Sequence, residues 1–301
     1  MLIMLHKCET IREFNCNTQT QGSQFKGLTR INKINKIALK AKGLMQIQGS
    51  HNWIQLDIEF SEKPELENPQ MIAAWPGMGF LAKISADYLR RQIKATKFAE
   101  IKYFHNILVY NNGIAELAPI RHKLYASKEH NLVICVGDAQ PSIPEESLRL
   151  AQKIAEIASD LGVNRIFTMA AYPNDLYEKA KVYGVFTNEN ARPVLEDLGI
   201  TILENEGAVN GLNGVMIGMA QAHGIEGICL MGDITYANVP QHLASKAVLE
   251  KLIKLLGIEI DTNQLNLRAK KIDASIKKRL DIYRDEDEIP LPEEKRLGYI
   301  S

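Results

Sequence analysis

From about residue 70 the chain alternates short, unbroken apolar runs with longer stretches in which apolar residues recur every three or four positions. This is how successive β-α units of a mostly parallel sheet read. The runs are MIAAW at 71–75, LVICVG at 132–137, VNRIFTMA at 163–170, ITIL at 200–203 and GICLMG at 227–232. Their lack of polar alternation predicts strands buried on both faces. Between them, Ser142-Ile143-Pro144-Glu145 reads as a capping box, followed by the stripe Leu148, Ala151, Ile154, Ala155, Ala158 and Leu161, with Gly162 as the stop. Residues 240–256 predict a second helix, with Pro240 near its first turn, Leu249, Leu252, Ile253 and Leu256 on one face, and Gly257 ending it. ILVY and IAEL flank Asn111-Asn112-Gly113, a turn suited to positive φ, so an antiparallel hairpin is expected within 106–126 and the sheet should be mixed.

The two ends differ from this middle. Residues 1–50 are rich in Asn, Gln, Lys and Thr without a sustained period, and are read as a disordered arm, with an upstream start before Met45 as the alternative. The α/β core is placed at 51–260. A C-terminal helix is placed at 261–284, capped by Asp261 or Thr262, with Leu265, Ala269, Ile272, Ile276, Leu280 and Tyr283 in a narrow stripe. Residues 285–301, with an acidic run and two prolines, are expected to form a solvated tail.

Composition narrows the function classes. Lys plus Arg and Asp plus Glu both number 36, so a net charge of zero offers no excess of cations for nucleic acid. No apolar stretch approaches the roughly 20 residues that span a bilayer, and the apolar start is too short for a signal-peptide core. Cys8, Cys16, Cys135 and Cys229 form no C-x-x-C pair. The last two lie in apolar runs and read as reduced, buried thiols of a cytoplasmic protein. No metal site or cofactor motif is evident.

The candidate chemistry lies at the strand ends. Trp75-Pro76-Gly77-Met78-Gly79-Phe80 follows a strand and opens a helix, where glycines can admit a phosphate or serve tight packing. The third glycine of a dinucleotide fingerprint and the lysine of a P-loop are missing, which favours packing. Asp138, Asn174, Asn210, Gly211, Gly214 and Asp233 also fall at strand ends, so with Pro76, Gly77 and Gly79 they outline one possible cleft. Asp138 and Asp233 can share that cleft or simply cap the loops that follow, and capping is the favoured reading. No G-x-S-x-G elbow is present, no catalytic residue is assigned, and His105, His122, His130, His223 and His242 read as surface or capping residues.

WPGMGFLAKISADYL at 75–89, the block from Gly137 to Pro173, GVFTN at 184–188, and the block from Gly207 to Ile234 together resemble the proteasome assembly chaperone family, archaeal branch. The resemblance implies a three-layer α/β/α fold similar to nucleoside phosphorylases, homo-oligomers, and a role in assembling proteasome α-subunit rings. Such proteins have also been labelled relatives of ATP-grasp ligases, but the lysines and magnesium-binding carboxylates that chemistry needs do not map onto this chain. A binding protein is therefore expected rather than an enzyme, with a small-molecule-binding or hydrolytic α/β enzyme as the alternative. The resemblance further implies a docking tail with a hydrophobic-Tyr-X ending. Here the tail reads Leu297-Gly298-Tyr299-Ile300-Ser301, with the tyrosine one place early and glycine in the hydrophobic slot.

Overall fold

Nine strands form one sheet: β1 (Asp57–Phe60), β2 (Gln70–Ala74), β3 (Thr96–Asn111), β4 (Ile114–Ser127), β5 (Leu132–Gly137), β6 (Arg165–Pro173), β7 (Val182–Phe186), β8 (Thr201–Ile202) and β9 (Glu226–Ile234), in the order β1-β3-β4-β5-β2-β6-β9-β7-β8. The computed structural model describes residues 56–174, 180–272 and 274–275. All lie in the second of two units into which the chain divides, Ser50–Ser301. The predicted arm at 1–50, the tail at 285–301 and the distal part of the predicted C-terminal helix lie outside the described residues.

The central strands β5, β2, β6 and β9 run parallel, whereas β1, β3 and β4 on one side and β7 on the other are antiparallel to their inner neighbours. Side chains of β2 alternate between two cores, as the period of two requires. Ile72 and Ala74 pack with α1 (Leu81–Gln92), α5 (His242–Leu256) and Leu265 of α6 (263–272). Met71 and Ala73 face α2 (Pro144–Asp160) and α4 (Leu212–Ala222). The short α3 (Arg192–Asp197) adds Leu195 to the first core. The expected mixed sheet with helices on both faces is thus the architecture found.

Local chemistry explains most of the boundaries. The hairpin turns at Asn112 (φ 50°) and Gly113 (φ 81°), with Asn111 opposite Ile114. This is the positive-φ pair that matches strand twist. α5 stops at Gly257 (φ 64°), and Asp261 Oδ1 accepts from the Asn263 N–H to begin α6. Three expectations change. The capping box at Ser142 does not form: Ile143 stands at the N-cap without a side-chain bond, and Pro144 starts α2 through its fixed φ. Leu148 is 48% exposed because α2 turns Leu150, Ala151, Ile154 and Ala158 inward. The run at 200–203 supplies only the two-residue edge strand β8, which leaves Thr201 exposed.

His122 is a correction too, since it is fully buried rather than on the surface. It sits opposite Gly137, and the missing side chain there lets the indole of Trp75 cross β5. A Cβ at Gly137 would lie 2.1 Å from Trp75 Cδ1 and 2.4 Å from His122 Nδ1. Trp75 Nε1–H donates to His122 Nδ1 at 2.9 Å, and the imidazole stacks on Tyr103 with ring centroids 5.5 Å apart. Burial first, and the nearby Lys83 charge second, push the imidazole down to about 3. At the root of β3, burial alone would raise the Glu100 carboxyl. Hydrogen bonds from Lys97 and Arg121 outweigh it and hold the group at about 2.

A pH dependence follows. Below about 6.5 the unfolded chain protonates His122 while the folded chain does not, so stability is lost as pH falls from 6.5 towards 3. Between pH 6.5 and 5, Glu100 is ionised folded or unfolded and adds little. Denaturant titrations in that window are expected to show a slope approaching ~1.4 kcal/mol per pH unit from this group. His122→Gln should flatten it, and an unchanged slope in the variant would refute the assignment.

Candidate functional site

Strand β2 ends at Ala74, and the next residue, Trp75, is fully buried without a strand neighbour. Asn213, in the first turn of α4, takes that neighbour's place. Its Oδ1 accepts from the Trp75 N–H at 3.0 Å, and its Nδ2 donates to the Trp75 carbonyl at 3.3 Å. Gln140, just beyond β5, extends the clamp. Its Nε2 donates to the Pro76 carbonyl at 2.7 Å, and its Oε1 accepts from the Leu212 N–H at 2.6 Å, covering a donor that a helix start leaves free. The ends of β2 and β5 and the beginning of α4 are thus tied into one body.

Beside this clamp lies a cavity of about 850 Å³. Ala170, Ala171, Val185 and Met231 supply apolar surface from β6, β7 and β9, Gly77 and Met78 come from the loop after β2, and the connection between β8 and α4 contributes Leu203 and 205–211. Among the described residues its lining holds one carboxylate, Glu206, together with the amides of Asn205, Asn210, Asn213 and Gln140 and the phenol of Tyr172. Its volume lies in the range of small-ligand sites. Its chemistry suits amide hydrogen bonds to an uncharged or weakly cationic group.

Of the residues predicted for a strand-end cleft, Gly77, Asn210 and Gly211 line the cavity. Pro76 supports it through Gln140. Gly79 serves packing: its N–H and carbonyl bond Ala237 and Gln241, and a Cβ there would stand 2.7 Å from Gln241 Cγ. Gly214 lets the preceding loop close on the helix, since a Cβ would fall 2.0 Å from the Val209 carbonyl oxygen. The two aspartates do not share the cavity. Asp138 is half-exposed and pairs with Lys83 at 3.7 Å. Asp233 is fully buried, accepting from the Lys181 N–H at 3.0 Å and from Asn174 Nδ2 at 3.3 Å. Its role is to hold the end of β9 to the segment entering β7. Leu297, Tyr299, Ile300 and Ser301 lie outside the described residues.

Sequence reasoning passed over Asn213 and read His122 as a surface or capping residue. Asn213 left a signal, being a polar residue on the same helical face as Met216 and Ala220 in a mostly apolar helix. Buried Cys135 and Cys229 are free thiols, pushed up by burial to about 12 and about 11. Among the described residues no group of three or more His, Cys, Asp or Glu side chains is placed to hold a metal ion. No described helix is long and apolar enough to cross a membrane.

Comparison with known proteins places these features in context. A model described as the PAC2 family matches residues 71–280. An uncharacterized protein of Methanocaldococcus jannaschii is 33% identical over 218 residues, 71% of this chain and 83% of that protein. The crystal structure of Pyrococcus furiosus PbaB, an archaeal proteasome activator, is 28% identical with a TM-score of 0.66, and the match covers 74% of this chain and 98% of that one. Pyrococcus furiosus PbaA, an archaeal homolog of proteasome-assembly chaperone, shares the fold at 21% identity and a TM-score of 0.64, over 77% of this chain and 94% of that one.

The clamp and the aspartates differ in weight. Asn213→Ala strands a buried N–H and a buried carbonyl of Trp75, and should lower the unfolding free energy by about 3 kcal/mol. Asp138→Asn removes only a half-exposed ion pair and should cost less than ~1 kcal/mol. Urea denaturation of the two variants against the parent measures both, and equal costs would show that Asn213 does not hold the strand end.

Proposed function

The chain belongs to the PAC2 family, and on that premise we propose that it acts on the proteasome as an assembly chaperone or activator, working by contact and without nucleotide. The observation that carries this reading is the 28% identity to Pyrococcus furiosus PbaB, an archaeal proteasome activator, over 98% of that chain. The partners it implies are proteasome α-subunits gathered into rings, and further copies of this chain. The chemistry of the strand-end cavity agrees with a binding role. Among its described lining residues a single carboxylate, Glu206, faces no histidine, lysine, cysteine or serine with which to form an acid-base or nucleophilic pair. Buried, unpaired Cys135 and Cys229 suit a reducing compartment such as the cytoplasm.

The cavity itself favours a second reading, a small-molecule-binding protein of the same fold, because about 850 Å³ at the carboxyl ends of parallel strands is where such folds take ligands.

Native mass spectrometry of the full chain with cognate α-subunits, in the absence of nucleotide, tests the first reading. The expected result is a redistribution of α-subunits between free and ring species. An unchanged distribution over a concentration series would sink it. Repeating the measurement with residues 297–301 deleted, and with Tyr299→Ala, separates contact through the tail from contact through the folded body: loss of ring binding assigns the contact to the tail.

A further inference from the structure

Strands β3 and β4 continue well past their neighbours. β1 pairs only with Lys102 through Ala99 of β3, and β5 only with His122 through Ser127 of β4. From residue 103 to residue 120 the two strands therefore form a ribbon that, among the described residues, has no third strand on either side. At its root the ribbon is firmly held. Tyr103 is buried against His122, and Glu100 joins Lys97 of its own strand to Arg121 of the other.

Beyond that root the composition changes. Phe104, Leu108, Val109 and Leu117 are between 40% and 58% exposed, and Tyr110 and Ile114 reach 78% and 77%. Leu108 lies opposite Leu117, while Val109 and Ile114 belong to the other face, so both faces are apolar. Between residues 103 and 120 the only acidic or basic side chain apart from His105 is Glu116. Natural proteins ordinarily protect exposed ribbon edges with lysine, proline or a covering element. Here one proline, Pro119, near the root is the exception.

We propose that this arm is the surface through which two copies of the chain associate, arm against arm. The inference rests on the homo-oligomer reading given above and adds the surface that joins the copies. Three features select a second copy as the occupant. The arm lacks the charge that would complement a charged partner surface. Its open backbone edges accept another open strand edge with apolar side chains, and the arm of a second copy is such an edge. Area points the same way. Six large side chains, each exposing on the order of 100 Å², offer on the order of 600 Å² per copy, or about 1,200 Å² for the pair, which reaches the lower bound of a specific interface. A two-fold arrangement uses the same patch on both copies, so the contact closes on itself.

The test compares the full chain with the double variant Tyr110→Glu, Ile114→Lys by sedimentation equilibrium, with thermal melts followed by circular dichroism. Both positions are exposed, so each protomer should keep its secondary structure. Removing two anchors, each worth at least about tenfold, should raise the dissociation constant by about a hundredfold or more. As a second measurement, a single cysteine at Tyr110, in a background carrying Cys8→Ser and Cys16→Ser, is expected to give disulfide-linked pairs on mild oxidation, because Cys135 and Cys229 are buried. An oligomer that survives the double substitution overturns the arm's role while leaving the homo-oligomer reading intact. A parent chain that is monomeric overturns both. If the variant keeps its oligomeric state but loses α-subunit binding, the arm meets the proteasome and the inference is likewise overturned.

Discussion

Everything around the strand-end cavity depends on how the peptide units after β2 are satisfied. A central parallel strand that stops inside the protein leaves its last N–H and carbonyl in a low-dielectric interior, where an unmade hydrogen bond costs about 1–3 kcal/mol. Asn213 meets both groups of Trp75, Gln140 ties the following carbonyl to the start of α4, and the indole is fixed from the other side by His122. The loop carrying Gly77 and Met78 is consequently held at one wall of the cavity, with the beginning of α4 at another. Rigid walls of this kind are what a preformed site requires.

The clamp also accounts for the conformations beside it. Gly79 and Phe80 both adopt left-handed backbone angles, φ 63° and 52°, as the chain leaves the clamp and enters α1. For Phe80 that costs on the order of 1 kcal/mol. The cost is borne because Gly79 is bonded on both sides, to Ala237 and to Gln241, which fixes the turn against the segment leading into α5. Met78, which lines the cavity, and Phe80 are left substantially exposed as a result.

The sheet is divided between two physical regimes. Its parallel centre is buried on both faces, and its strands are mostly apolar. The antiparallel side runs from that interior into solvent along the same two strands. Charge marks the passage: Glu100 with Lys97 and Arg121 anchors the base of the ribbon, and beyond it the side chains are apolar again but exposed. An apolar segment following a charged anchor is what an interface looks like when its partner is absent.

Much of this was legible in the sequence, because it rests on local pattern. The five apolar runs mark β2, β5, β6, β8 and β9, Asn112-Gly113 marks the hairpin turn, and Gly162 and Gly257 mark helix ends, since period and positive φ are properties of a few consecutive residues. The strands β1 and β7 escaped notice because each is short and pairs at a flank, where burial of one face suffices. The site was less legible. Gly77, Asn210 and Gly211 could be proposed from their places at strand ends, but Asp138 and Asp233, equally well placed in the chain, turned to Lys83 and to Lys181 and Asn174 instead. A side chain's partner is chosen among groups 50 to 140 residues away, and nothing in the neighbouring sequence encodes that choice. The burial of His122 depends on Gly137 lying opposite it and on Trp75 crossing the gap. The sequence by itself thus determined most of the strands and helices and that the sheet is mixed. Only the tertiary structure decided which polar residues hold the strand ends and which line the cavity, because hydrogen-bond partners are set by strand order and register rather than by spacing along the chain.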